Sequence, residues 1–305
     1  MISGLITSQH KEKGGPPPGA VKICRMMRKF DPYPHVWRLP LLLWQGAFFV
    51  VPLVFMAALS FWLVKNYRME PAFAFDNWER MLGRGAFWDA YWLTLLRACM
   101  AGVIASLIAF PASLFLAFHL TPQGRRFALL CLIVPFFTSF LVRAYAWQVI
   151  LAESGPVNAV LGGLGLGPYT MLNSGFGAMV GYMTLVLPLV VIFQTWSLAA
   201  IEKSLIEAAA NLGASPVRTL VSVIIPAAKT GLVLGAVFAF IMTFGDFVSP
   251  FYLGGSKPPT LTILIIDTTK SGQQWPRAAV VAIVMILTLF AVATAALKAA
   301  YGRRG

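Results

Sequence analysis

EAAANLGASPVRTLVSVIIP, residues Glu207 to Pro226, is a polar, helix-forming insert between two strongly apolar segments, and its reading decides how the chain is built. Glu207, Ala208, Ala209 and Ala210 favour helix, and the run ends at Gly213, the residue type that best tolerates the left-handed turn closing a helix. Ser215 is a good N-cap and Pro216 fits the first helical position, so a second helix starts at once and runs to Pro226. The spacing predicts helix, tight turn, helix. The alanines leave a slim face able to enter a groove on another protein, and Glu207 offers a fixed charge for that partner to grip. The stretch reads as a docking surface.

Outward from it the chain is apolar. At 58% hydrophobic and 11% charged over 305 residues, the composition excludes an ordinary soluble domain and places the chain in a bilayer. The net charge of +13 is not read as a nucleic-acid footprint, because basic residues collect on the cytoplasmic flanks of membrane spans. Cys99 and Cys131 fall in apolar segments as small packing residues, Cys24 does not, and no disulfide is expected. His10, His35 and His119 are far apart without acidic or thiol neighbours at ligand spacing, so no metal site is expected.

Residues 1–38 read as a basic cytoplasmic tail, and 39–64 as a first membrane anchor, too long for a cleaved signal. Five further stretches, at about 91–118, 127–151, 176–197, 230–253 and 278–297, are each long enough for the roughly 30 Å hydrocarbon core, which predicts six spans. With the N-terminus inside, fifteen of the 24 Lys and Arg residues lie on the inner side, and both termini and the insert are cytoplasmic. The 65–90 loop and the Gly-rich, turn-forming 152–175 loop then face outward. The segment 299–305 is a cytoplasmic C-terminus. No GxxxxGK[ST] occurs and no catalytic constellation is visible, so ATP chemistry would have to come from another chain and no catalytic residue is assigned.

Glu207-Ala208-Ala209, Gly213, Val223 and Ile225-Pro226 resemble the EAA loop of permease subunits in bacterial binding-protein-dependent ABC importers, with Ile225 where leucine is commoner. The resemblance implies an all-α integral membrane protein of the type I ABC importer (MetI-like) architecture. Its permease domain would cover 91–298, with a cytoplasmic coupling-helix loop at 203–226. It also implies that Glu207, Ala208, Ala209, Gly213, Ser215 and Pro216 meet the ATPase.

Asp246 is the acidic residue well inside a span, where a carboxylate costs about 3 kcal/mol on insertion scales. Two readings stand: it lines a pathway, or it pairs with an interhelical arginine. Pro250 and Gly254-Gly255 are expected to break that span near its outer end. Arg143 either snorkels outward or pairs with Glu153 or Asp246. Tyr145 and Trp147 offer aromatic faces to a passing cation or serve as belt residues, and Phe247 adjoins Asp246. Gly231, Gly235 and Ala239 form a small-residue stripe for close helix packing.

PFFTSFLVRAYAWQVIL (Pro135–Leu151), GPVN (Gly155–Asn158) and GDFVSPFYLGG (Gly245–Gly255) resemble the spermidine/putrescine branch of these permeases. That resemblance implies a second, different permease subunit, two copies of a cytoplasmic ATPase and a periplasmic solute-binding protein. The solute would be a polyamine, or another small organic solute. Asp246 stands where relatives often have Glu, which leaves the fit of a polyamine open. No cofactor is expected on this chain, ATP being used by the partner, and membrane lipid is the remaining partner. A secondary carrier would need more ionisable groups along the spans.

Overall fold

The computed structural model describes residues 33–65 and 68–302, with side chains from Leu39 onward. The expected basic tail of 1–38 lies outside them apart from the backbone of 33–38, as do Cys24, Arg303 and Arg304. The chain divides into two units, Met1–Met56 and Ala57–Gly305.

In the first unit, α1 (Tyr33–Gln45) passes through a π-turn at Gly46–Val50 into α2 (Val51–Leu59). Apolar residues run without a charge from Leu39 to Leu59, long enough to span. The π-turn has a local cause. Pro52 lacks the N–H that would continue the ladder, and the helix widens just before it, with the Val51 N–H reaching back five residues to the Gly46 carbonyl.

The second unit begins with a hairpin, β1 (Leu63–Lys65) and β2 (Arg68–Glu70), antiparallel with Val64 opposite Met69. This small sheet corrects the all-α expectation in detail. After α3 (Asp76–Leu82), the helices are α4 (Gly85–Phe118), α5 (Pro122–Ile133), α6 (Phe140–Leu151), α7 (Pro156–Gly163) and α8 (Gly175–Ala199). Then come α9 (Lys203–Asn211), α10 (Pro216–Thr219), α11 (Ile225–Gly245), α12 (Val248–Tyr252), α13 (Leu261–Lys270) and α14 (Trp275–Tyr301).

The centre is a three-helix contact of α4, α8 and α11. Small residues make it possible: Ala98, Ala101, Gly102, Ala105 and Ala109 of α4 are buried, and an added Cβ at Gly102 would stand 3.0 Å from the Ala236 carbonyl. Close approach of backbones is what associates helices in a solvent as apolar as their own side chains. Val186, Val190 and Val191 of α8 pack there against Ala105, Ala109 and Ala239. At one end Phe240 and Phe244 meet Phe87, Leu261, Val280 and Val281, which seats α13 and α14.

Among the described residues, five helices are long and apolar enough to span, with a sixth only if a bent pair is one crossing. That pair is the segment expected as a continuous span at 127–151. Its two arms, Pro122–Phe137 and Phe140–Gly163, meet at 89°. Pro135 tightens α5 into a 3₁₀ turn at Val134–Phe137, after which Thr138 is extended and its hydroxyl donates to the Pro135 carbonyl at 2.6 Å. The fifth expected span, 230–253, is displaced likewise. An unbroken helical run covers Pro216–Gly245 and stops at Asp246–Phe247, before Pro250 and not at it.

Two smaller expectations also change, and the small-residue stripe finds its partner helix. Cys99 and Cys131 lie on the outer surface of the chain. The 152–175 loop contains a helix, α7, pinned by buried Asn158. Its amide donates to the Ala152 and Tyr169 carbonyls and its oxygen accepts from the Tyr169 N–H at 2.9 Å. Gly231, Gly235 and Ala239 are buried within the chain, Gly231 lying against Ser197 and Phe193 of α8.

Candidate functional site

At the end of the bundle where α8 stops, α9 follows after a short turn. Its last turn closes as a Schellman motif: the Ala214 N–H donates to the Ala209 carbonyl at 3.0 Å, and Gly213 sits at φ +76. Ser215 then caps α10, its hydroxyl accepting from the Arg218 N–H at 3.4 Å, with Pro216 in the first turn. The second helix does not end at Pro226. A π-turn at Leu220–Ile224 absorbs that proline, with the Ile225 N–H bonded to the Leu220 carbonyl, and α10 runs on into α11. The elbow is therefore one end of a spanning helix.

Thr219 of α10 is buried and Leu220 after it packs into the bundle, and α9 adds a further tie. Ile206 of α9 packs against the cluster of Ala117, Leu198, Ile224 and Ala228. The rest of the α9 surface is open. Glu207, Ala208, Gly213, Ser215 and Pro216 are exposed and Ala209 is half-buried. Among the described residues the ion pairs are Lys65–Glu70 and Arg80–Asp76, so the Glu207 carboxylate has none. Leu205, Leu212 and Val217 stand out beside it, Leu212 at 89% exposure. A rigid, capped helix with an open apolar surface and one unpaired carboxylate is suited to a groove with a cationic rim.

The second site lies between α6 and α8. A cavity of about 540 Å³ is lined by Arg143 and Trp147 of α6, by Pro135, and by Phe176, Met179, Met183 and Pro188 of α8. Among the described residues Arg143 makes no ion pair with Glu153 or Asp246. Pro188 has no N–H for the carbonyl four residues earlier, that of Thr184, and the Arg143 guanidinium donates to this carbonyl at 3.3 Å. The same guanidinium lies over the rings of Phe136 and Phe140, 5.9 and 5.5 Å from their centroids. Its Nε is buried without a partner among the described residues. The cavity thus offers one cation with a free donor and no carboxylate.

Tyr145 and Phe247 do not line this cavity. Tyr145 packs on Tyr252 of α12 with ring centroids 5.1 Å apart, and Gln148 Nε2 donates to the Tyr252 carbonyl at 2.8 Å, so α6 and α12 are joined. Phe247 is exposed at the break after α11. Asp246 makes no salt bridge with an arginine: its carboxylate accepts from the Val248 and Ser249 N–H groups at 2.8 and 3.2 Å, capping α12. Its carbonyl, left without a donor by Pro250, accepts from the Thr262 hydroxyl at 3.1 Å. Buried Tyr182 lies within the electrostatic reach of both Arg97 and Asp246. Neither sequence reading of Asp246 included a cap, though an acid three residues before Ser249 and four before Pro250 is a signal for one.

Capping makes a prediction. Asp246→Asn keeps an acceptor for the α12 N–H groups and is expected to cost less than about 1 kcal/mol, whereas Asp246→Ala costs about 1–2 kcal/mol. Thermal unfolding of the detergent-solubilised protein reads the difference. Equal damage from both substitutions would show that the charge, and not the cap, matters.

No family model matches the chain. The inner membrane ABC transporter permease protein YdcU of Escherichia coli (strain K12) is 28% identical over 265 residues, which is 81% of this chain and 83% of that protein. The spermidine/putrescine transport system permease protein PotB of Salmonella typhimurium (strain SL1344) is 29% identical over 227 residues, 72% of this chain and 77% of that protein. Among solved structures, a bacterial ABC transporter involved in the import of the acidic polysaccharide alginate superposes with a TM-score of 0.69. It is 15% identical and covers 93% of this chain and all of that one. The alginate transporter in complex with its pentasaccharide-bound periplasmic protein gives 0.66 at 15% identity, over 91% of this chain and 94% of that one. The fold is that of these transporters' permeases.

Proposed function

We infer that this chain, an ABC importer permease, carries a small organic solute across the inner membrane by alternating access, driven by ATP that a separate chain hydrolyses. The observation that supports this reading most is the α9 elbow, an open docking helix fixed by Gly213 and Ile206 to a 30-residue helical run. A push on α9 would reach the middle of the bundle through Pro216–Gly245 and the break at Asp246. Glu207, Ala208, Ala209, Gly213, Ser215 and Pro216 are assigned to the ATPase contact.

The assembly proposed is six crossings per chain, counting the bent pair as one, with the elbow and both termini cytoplasmic. A second homologous permease subunit, an ATPase dimer and a periplasmic solute-binding protein complete it. The reading assigns no cofactor and no metal to this chain. The solute proposed is a polyamine, as in the name of the PotB relatives, with Arg143, Tyr145, Trp147, Asp246 and Phe247 as pathway candidates. A second reading, a solute with an acidic group, is favoured by Arg143, the one charged group among the described residues that line the α6–α8 cavity.

The test is uptake into vesicles holding the assembled transporter and ATP, fed by the binding protein loaded with labelled putrescine or spermidine. Vanadate-sensitive uptake is expected; uptake indifferent to ATP and vanadate would overturn the importer reading. Arg143→Gln separates the two solutes. Polyamine uptake should be unchanged or faster, while uptake of an acidic solute should fall about tenfold or more, the loss of one charge-assisted hydrogen bond.

A further inference from the structure

At the end of the bundle that carries α9, a second cavity, of about 390 Å³, lies between the start of α5 and the end of α8. Arg125 and Arg126 line it from α5, with Leu129 one turn further along, and Trp196, Ala199 and Ala200 line it from α8. We propose that this pocket binds the headgroup of an anionic phospholipid, with the phosphate on the Arg125–Arg126 pair and the glycerol and upper acyl chain against Leu129 and Trp196.

Charge supports the assignment. Neither arginine makes an ion pair among the described residues, and the hydrogen bond found is from Arg125 Nη1 to the Ala117 carbonyl at 3.4 Å. The Arg126 guanidinium is unpartnered among these residues and exposed at the pocket rim, beside half-buried Arg125. Adjacent guanidinium groups match phosphate oxygens in geometry and charge. A soluble phosphate would use only this polar half. Leu129, Ala199, Ala200 and Trp196, the last at 64% exposure, make the rest of the lining apolar, so its occupant is polar at one end and apolar at the other. An exposed indole beside basic residues is the kind of side chain that settles at a headgroup boundary. The site is independent of which solute is carried.

The test is lipid binding to the full chain, extracted in neutral detergent with its co-expressed partner subunits and followed by native mass spectrometry. Phosphatidylglycerol is expected to bind at least about tenfold more tightly than phosphatidylcholine, as two basic residues near a headgroup dictate. Arg125→Gln/Arg126→Gln should abolish the preference and the double lysine variant should keep part of it. Millimolar inorganic phosphate should not compete. Equal binding of the two lipids, or an unchanged preference in the double glutamine variant, would overturn the proposal. Displacement by inorganic phosphate would also overturn it, assigning the pocket to a free anion. Should the double variant fail to assemble, Trp196→Ala tests the pocket from its other wall. Phosphatidylglycerol binding should weaken severalfold, and no change would refute the site.

Discussion

Gly213→Val is expected to lower ATP-driven uptake about tenfold or more while the complex still assembles and hydrolyses ATP at its basal rate. The cause is conformational. An added Cβ at Gly213 would meet nothing within 4 Å, but the residue holds φ at +76, where a side chain with a Cβ is strained by about 1–2 kcal/mol and a β-branched one by more. Relief comes from abandoning the left-handed turn, and with it the Ala214-to-Ala209 hydrogen bond that sets the angle between α9 and α10. The docking helix then points elsewhere although no contact inside the bundle has changed. Gly213→Asn, which tolerates this region, should retain most of the transport. Measured together, uptake and solute-stimulated ATP hydrolysis separate a lost angle from a lost subunit. Coupling in the valine variant equal to that of the parent would remove the elbow from the mechanism.

The largest effect on stability is expected at Gly231, for the opposite reason. Here space is missing: a Cβ would collide with the Ser197 Cβ and stand 2.7 Å from its Oγ and 2.9 Å from the Phe193 carbonyl oxygen. Backbone oxygen cannot move aside as a side-chain tip can, so Gly231→Val must push α11 off α8, at about 3 kcal/mol or more. Little folded protein should be recovered from membranes. Gly231→Ala should show a smaller loss, and Ser197→Gly in the same chain should restore part of it by removing the nearest atoms. Gly162→Ala is the control, since a Cβ there meets nothing within 4 Å. Full recovery of the valine variant, with an unchanged melting temperature, would show that the helices part without penalty.

These two glycines divide what can be read from the chain. The Gly213 turn was legible because capping is local: an alanine run, a glycine, then Ser215-Pro216 leave the backbone few alternatives from Ala208 to Pro216. The spans were legible for a similar reason, since the need to satisfy every backbone group in hydrocarbon makes a long apolar run a helix. Gly231 was visible as part of a small-residue stripe, but which helix it met was not.

Positions of helix breaks were read less well, because a proline is only an invitation to break. Pro52 and Pro226 are absorbed by π-turns and Pro188 by a guanidinium from another helix, while the chain near Pro135 turns through 89°. The outcome depends on whether some group elsewhere supplies the missing hydrogen-bond donor.

The sequence by itself determined the local and the solvent-imposed features: apolar crossings, the elbow at Gly213 and the charge asymmetry of the loops. Only the tertiary structure decided what the buried polar residues do. Asp246 caps α12 and Arg143 faces a cavity beside Thr184 because each found its partner among groups brought together by α6, α8 and α12. A polar group in a low-dielectric interior goes wherever its hydrogen bonds can be completed, and that place is fixed by packing between distant segments.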